Sequence, residues 1–274
     1  INELPETYSY DLVLADLFSM QKDFVKKLVN VGPIAAIDEG SQFTNYCDFL
    51  LDIIPSIKLN REPNDKNIGF IPLPKNRKDL NQNGQLGDKV LISVGGEDPA
   101  NLSIPTAIAF GECGKNVTVI VSDPLKEKDK IPERLQKKIR VVPPVNNLCE
   151  KLYMYDIVVT HYGFTAYEAL AAGCGVLLLP TSSLHISLAE HYGFALLRHD
   201  EITPFSIEKI LSKPELLFPL EIKNELLENS NETLPNYVRR LSSGKKIPCP
   251  ICGNTKKNQS PDLIIARTKD RTYR

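Results

Sequence analysis

Between residues 90 and 192, short apolar runs recur with helix-length stretches between them. Val90–Val94, Val117–Val121, Ile139–Val142, Ile157–Thr160 and Val176–Leu179 read as strands. Pro99–Cys113, Pro132–Lys138, Asn147–Tyr155, Thr165–Ala172 and Ile186–Tyr192 read as the helices that separate or follow them. A strand followed by a helix-length crossover pairs parallel with the next strand, and a parallel sheet must be covered on both faces. The expectation is an α/β, Rossmann-like domain.

Residues 9–74 repeat the pattern less regularly, with apolar runs at Asp11–Asp16, Pro33–Asp38, Phe49–Ile54 and Ile68–Leu73 and helical spacing over Met20–Asn30. They read as the later strands of another α/β domain, and 274 residues is a length that suits two. Lys75–Lys89 loses all periodicity and fills with Asn, Asp, Lys and Gly, the composition of a linker. Pro204–Leu241 reads as helical, with Ser206, Pro214 and Pro235 as start and stop signals, and a polar tail follows. The expected division is 1–74, linker 75–89, 90–243 and tail 244–274. The chain opens at Ile1 and enters a strand almost at once, so the first domain is expected to be incomplete at its N-terminus.

Thirty-three Lys and Arg against 34 Asp and Glu leave a net charge of −1, without the basic excess that displaces counterions from nucleic acid. The longest nearly uncharged run, Ala169–Ser183, is short of a membrane span and broken by Gly and Pro. Six scattered cysteines make no disulfide framework, and a reducing cytoplasm is the expected compartment.

Two glycine turns fall where strands of the second domain should end: Ser93-Val-Gly-Gly-Glu-Asp-Pro99 and His161-Tyr-Gly-Phe-Thr-Ala-Tyr-Glu168. In a parallel sheet both lie at the carboxyl edge, where ligands bind, and each leads into a helix N-terminus suited to phosphate. The plainer alternative is that Gly95, Gly96 and Gly163 only turn the chain and that Thr165 caps its own helix.

The order of these motifs, with VVPPVNNLCEKLYMYDIVV before the second turn and LAAGCGVLLLP after it, resembles the C-terminal domain of GT-B nucleotide-sugar enzymes. It is most similar to the PseG/SpsG family, relatives of the MurG glycosyltransferase, over roughly residues 9–200. The resemblance implies a GT-B-like chain of two Rossmann-type domains that takes a UDP-sugar. It implies Glu168 as acceptor for the ribose hydroxyls, with Gly163, Phe164 and Thr165 at the diphosphate. Val142 and Pro143, in a loop running to Val145, would pair uracil through main-chain groups. Gly95, Gly96 and Glu97 would face the cleft, and His185 and Glu190 would contact sugar or diphosphate. For Glu168 the plainer alternative is a solvent-facing helix carboxylate. Gly173-Cys174-Gly175 departs from the family's G-x-P. His161 and Tyr162 are bulkier than the small residues the family often has before the glycine, and His161 equally suits a hydrogen-bonded core histidine.

His161, His185, His191 and His199 lack the spacing of metal ligands, and GT-B chemistry needs no metal, so no cofactor is required. Cys249 and Cys252, in a CPxCG turn, are half of a tetrahedral zinc site and would hold zinc only if a second pair were supplied. The tail resembles the zinc-knuckle start of class I methyltransferases. The expected function is a UDP-sugar hydrolase or glycosyltransferase of surface-polysaccharide or glycan synthesis. The alternative is a non-catalytic nucleotide-sugar-binding module, fused or not to a downstream methyltransferase.

Overall fold

The computed structural model describes residues 10, 12–16, 20–38, 40–56, 61–78, 86–95, 98, 100–219, 221, 222 and 224, and the backbone of 263–267. The chain divides into two compact units, residues 1–70 with 228–274, and residues 71–227.

In the first unit, strands β1 (Leu12–Asp16), β2 (Ile34–Ile37), β3 (Phe49–Asp52) and β4 (Asp65–Lys66) pair parallel in that order. A late strand, β11 (Leu263–Arg267), pairs parallel with β1 on its other side. This strand falls in the stretch expected as a polar tail; its Leu-Ile-Ile-Ala run is apolar enough to pair. Helix α1 (Lys22–Val29) buries Val25 and Leu28, three residues apart on one face, against Val13, Ile34 and Leu50 of the sheet. The apolar run Ile68–Leu73 makes a 3₁₀ turn at Ile68–Phe70 instead of a strand. Pro72 and Pro74 close that run, and neither could donate to a ladder.

The second unit follows the predicted alternation. Strands β5 (Lys89–Ile92), β6 (Asn116–Ile120), β7 (Ile139–Val142), β8 (Ile157–Thr160), β9 (Gly175–Leu178) and β10 (Ala195–Leu196) form one parallel sheet in the order β7-β6-β5-β8-β9-β10. Between and after them run α2 (Ser103–Glu112), α3 (Pro124–Lys128), α4 (Phe164–Ala171), α5 (Ser183–His191) and α6 (Pro204–Leu211). The strands read as unbroken Val, Ile and Leu because both faces are covered: Val90, Ile92, Ile157 and Val159 are buried on one face, and Leu91 and Val158 on the other.

Two predicted helices are shorter and tighter than their spacing suggested. Pro132–Lys138 yields only a 3₁₀ turn at Glu133–Leu135, and Asn147–Tyr155 a 3₁₀ run over Leu148–Met154. An unpredicted helix, α3, starts where the Asp123 side chain accepts from the Lys126 N–H and Pro124 occupies the first turn. The helical reading of Pro204–Leu241 holds for α6, which Thr203 caps through the Ser206 N–H, and for a 3₁₀ turn at Pro214–Leu217; residues 225–241 lie outside the described residues.

Lys75–Lys78, expected to open the linker, are bonded to the second unit. The Lys75 N–H donates to Glu150 Oε2 at 3.0 Å, the Lys78 N–H to the Ala172 carbonyl at 3.0 Å, and Lys78 Nζ pairs with Asp156 at 2.8 Å. Gly173 ends α4 at φ +85°, where a Cβ would meet the Lys78 carbonyl oxygen at 2.2 Å. Gly175 lies under Leu217, whose Cβ is 3.0 Å from where a Cβ at Gly175 would be.

Candidate functional site

The second sheet is laid down outward from its middle. From β5 the chain adds β6 and β7 on one side, then crosses to add β8, β9 and β10 on the other. Sheet order therefore reverses between β5 and β8, and the loops leaving their carboxyl ends diverge to opposite faces, opening a crevice. The two glycine turns singled out in the sequence are those two loops.

The helices at this edge differ in one respect. Asp98 accepts from the Leu102 and Ser103 N–H groups at 2.9 and 2.8 Å and so occupies the N-terminus of α2. Asp123, Ser182 and Thr203 do the same for α3, α5 and α6. No side chain caps α4, whose N-cap is Gly163. Thr165 is the second residue of that helix and not its cap, which removes the plainer reading of it. With no Cβ at Gly163, and open space where one would be, the first N–H groups of α4 face an unobstructed approach.

One turn into α4, Glu168 is partly buried, not solvent-facing. Burial pushes its carboxyl up to about 7, against which a hydrogen bond from the Cys149 thiol pulls down. Beside the same edge, His161 Nδ1 lies 2.6 Å from the Leu179 carbonyl oxygen. A carbonyl can only accept, so Nδ1 carries the proton and Nε2 is left for other partners. The His185 ring stacks on that of His161 at 6.5 Å between centroids. Burial, and then the charge of His161, hold the His185 imidazole below its ordinary range. His185 Nδ1 is 3.2 Å from Thr181 Oγ1.

Gly163, Phe164, Thr165, Glu168 and His185 thus come from the carboxyl ends of β8 and β9 and the helices that follow. Gly95 enters the crevice from β5 at φ +91° with open space around it. Val142 ends β7, three strands from β8, or about 14 Å at about 4.8 Å per strand. Its carbonyl already accepts from the Val121 N–H, and Pro143 and Pro144 have no N–H. Glu190 is not brought to the crevice: it is exposed in the last turn of α5, 3.3 Å from Arg198 Nη2. Gly96, Glu97, Cys249 and Cys252 lie outside the described residues. Among the described residues no group of three His, Cys, Asp or Glu could hold a metal ion. No helix among them is long and apolar enough to cross a membrane.

A cavity of 570 Å³ adjoins the Gly95 loop along α2, lined by Asp98, Ile104, Ile108, Val121, Lys130 and Ile202 among others. Gly163, Thr165 and Glu168 do not line it, so it is distinct from the α4 crevice. Cys149 and the capping role of Asp98 were not anticipated. An aspartate five residues before the helix start is a readable signal for an N-terminal acceptor.

Two parallel α/β units, one of them a six-stranded sheet with its crevice at the point of reversal, make this an α/β chain of the GT-B type of fold. Among solved structures it is similar to SpnP, a spinosyn forosaminyltransferase (TM-score 0.55, 15% identity, 85% of this chain and 75% of that one). It is similar also to CalG4, the calicheamicin glycosyltransferase (0.52, 13%, 85% and 74%), and to MurG of Acinetobacter baumannii (0.52, 13%, 77% and 66%). At these identities the likeness is one of fold. A curated relative, the uncharacterised protein MJ1062 of Methanocaldococcus jannaschii, is 26% identical over 110 residues, which are 38% of this chain and 23% of that protein. No family model matches the chain.

Proposed function

We propose that the second unit binds the UDP moiety of a UDP-sugar across its carboxyl edge and that the protein transfers or hydrolyses the sugar. The observation that carries this is the uncapped N-terminus of α4 at the point of sheet reversal, where α2, α3, α5 and α6 each supply their own cap. A diphosphate at Gly163–Thr165 would satisfy the free N–H groups and meet the positive end of the helix. Glu168, one turn further on, would accept from the ribose hydroxyls, and the Pro143–Val145 loop would receive the base. The fold shared with CalG4 and SpnP, described as a glycosyltransferase and a forosaminyltransferase, supports a sugar-nucleotide ligand.

In the reaction a water or acceptor hydroxyl attacks the anomeric carbon and gives up its proton to solvent. The bond from that carbon to the β-phosphate oxygen breaks, and its electron pair leaves with UDP. The new charge develops at α4, whose dipole and N–H groups need no rearrangement to stabilise it, so no metal is needed there. His161, with Nδ1 committed to Leu179, offers Nε2 to a hydroxyl of the sugar. By resemblance to the PseG/SpsG family, the sugar belongs to surface-glycan assembly, and water is the nucleophile in the hydrolase version.

Calorimetric titration with UDP, with GDP and AMP as controls, tests the reading. Gly163 has extended backbone and free space, so Gly163→Asp installs on α4 the cap that its neighbours already have. The expectation is a fold unchanged or stabilised by up to about 1 kcal/mol, with UDP affinity about tenfold lower or worse because the new carboxylate takes the phosphate's place. Equal UDP affinity in this variant, or no UDP binding by the folded wild type, would overturn the proposal. Free sugar released from a UDP-hexose without acceptor marks a hydrolase, and acceptor-dependent release of UDP marks a transferase.

A further inference from the structure

The N–H groups at the start of α4 can serve an anion only if they point at one place, and Gly163 gives the backbone there no steric preference of its own. The residue before it supplies a restraint. Tyr162 lies half-buried in the connection from β8 to α4, and its phenol oxygen is 2.6 Å from that of Tyr167, a fully buried residue of α4. One hydroxyl donates and the other accepts. The bridge runs from residue 162 to residue 167 and so encloses Gly163, Phe164 and Thr165, where the proposed reading puts the diphosphate. The Tyr162 ring is held as well. It meets the Tyr167 ring edge to face at 5.9 Å between centroids and the Phe194 ring at 6.0 Å, the arrangement that aromatic rings prefer, and lies 6.4 Å from the ring of Tyr192. Tyr192 and Phe194 flank Gly193 in the turn between α5 and β10, so the connection is wedged between α4 and the chain beyond α5.

We propose that Tyr162 is a positioning residue of the phosphate-binding turn: its phenol, bonded to that of Tyr167, fixes the connection from β8 so that the Gly163, Phe164 and Thr165 N–H groups converge on the diphosphate. The inference rests on the reading of the α4 N-terminus as the diphosphate site. Tyr162 touches no ligand in this scheme. Its ring supplies packing and its hydroxyl supplies aim, and the two are separable because phenylalanine keeps the first and loses the second.

The test compares affinity for UDP with that for uridine in wild type, Tyr162→Phe, Tyr167→Phe and the double variant, at about pH 8, where the terminal phosphate is fully ionised. The ratio of the two affinities reports the diphosphate contact alone, because a variant that only loosens the fold weakens both ligands alike. In wild type UDP is expected to bind about a hundredfold or more tighter than uridine, the worth of charge-assisted hydrogen bonds. Tyr162→Phe should cut that ratio about tenfold and leave uridine affinity within about twofold of wild type. Tyr167→Phe removes the same bond from its other end, so it should give the same fall, and the double variant no more than either alone. An undiminished ratio in Tyr162→Phe would overturn the role of its hydroxyl and leave α4 as the diphosphate site intact. A fall in Tyr162→Phe without one in Tyr167→Phe would also overturn positioning, since the phenol would then act on the ligand directly. A wild-type ratio near one would overturn the reading of α4, and this inference with it. Should Tyr167→Phe fail to fold, Tyr162→Phe, which keeps a half-buried ring in its packing, decides the matter.

Discussion

Holding Glu168 where it is costs stability, and the cost has a definite pH dependence. In the unfolded chain its carboxyl titrates near 4.5; in the folded protein burial raises it to about 7. Between those values the folded state keeps a proton that the unfolded state has lost, so raising the pH favours unfolding. At about 1.4 kcal/mol per pH unit across that interval, the ionised side chain destabilises the second unit by about 3 kcal/mol above pH 7. Glu168→Gln keeps the shape and an acceptor oxygen but cannot ionise. Its own constant desolvation cost cancels when the stability difference between variant and wild type is compared at two pH values. That difference should favour the variant by about 3 kcal/mol more at about pH 8 than at about pH 4.5, with the change concentrated between about pH 5 and 7. Urea unfolding followed by circular dichroism at a series of pH values measures it. A difference that is flat with pH would show that Glu168 ionises freely in the fold, and the desolvated-carboxylate account of the site would fail.

The same titration should appear in binding. Affinity for a UDP-hexose, whose diphosphate does not titrate in this range, is expected to rise with pH up to about 7 and then level off, because ribose hydroxyls favour ionised Glu168; Glu168→Gln should flatten that rise. Glu190→Ala should alter UDP affinity by less than about twofold and stability by less than about 1 kcal/mol, since Glu190 sits exposed at the far end of α5 with Arg198 as its partner. Gly173→Ala should destabilise by about 1 to 3 kcal/mol in a melting assay, from its left-handed backbone and the Lys78 carbonyl 2.2 Å from the new Cβ. Chelation with EDTA should leave the UDP affinity of the chain unchanged.

Where the sequence carried a strong period, it carried the fold. Ile139–Val142 and Ile157–Thr160 are strands at the predicted residues, and the remaining strands of the second sheet before β10 shift by one or two positions. A period cannot show tightness of winding, so Asn147–Tyr155 looked like an α-helix and is a 3₁₀ run. It also competes with local chemistry. Asp98 and Asp123 pull helix starts to their own hydrogen bonds, which moves α2 four residues beyond Pro99 and creates α3. Of the candidate site, the residues on one turn, Gly163 to Glu168, could be read because a single helix start sets their spacing. The packing of the Leu148–Met154 run on α4 could not, since it is made between elements with a strand between them in sequence.

The site departs from local rules in two places, and both departures point the same way. Among α2 to α6, α4 alone has no side chain accepting from its first N–H groups, forgoing about 1 kcal/mol that Ser or Asp at Gly163 would supply. Glu168, one turn on, is a carboxylate in a half-buried setting that resists its charge. Neither feature stabilises the fold itself. On the proposed reading a diphosphate with its ribose would resolve both at once, its charge meeting α4 and its hydroxyls meeting Glu168. A binding site is expected to be locally unfavourable until filled, and the rest of the sheet, with Val90, Ile92, Ile157 and Val159 fully buried, is what holds it in that state.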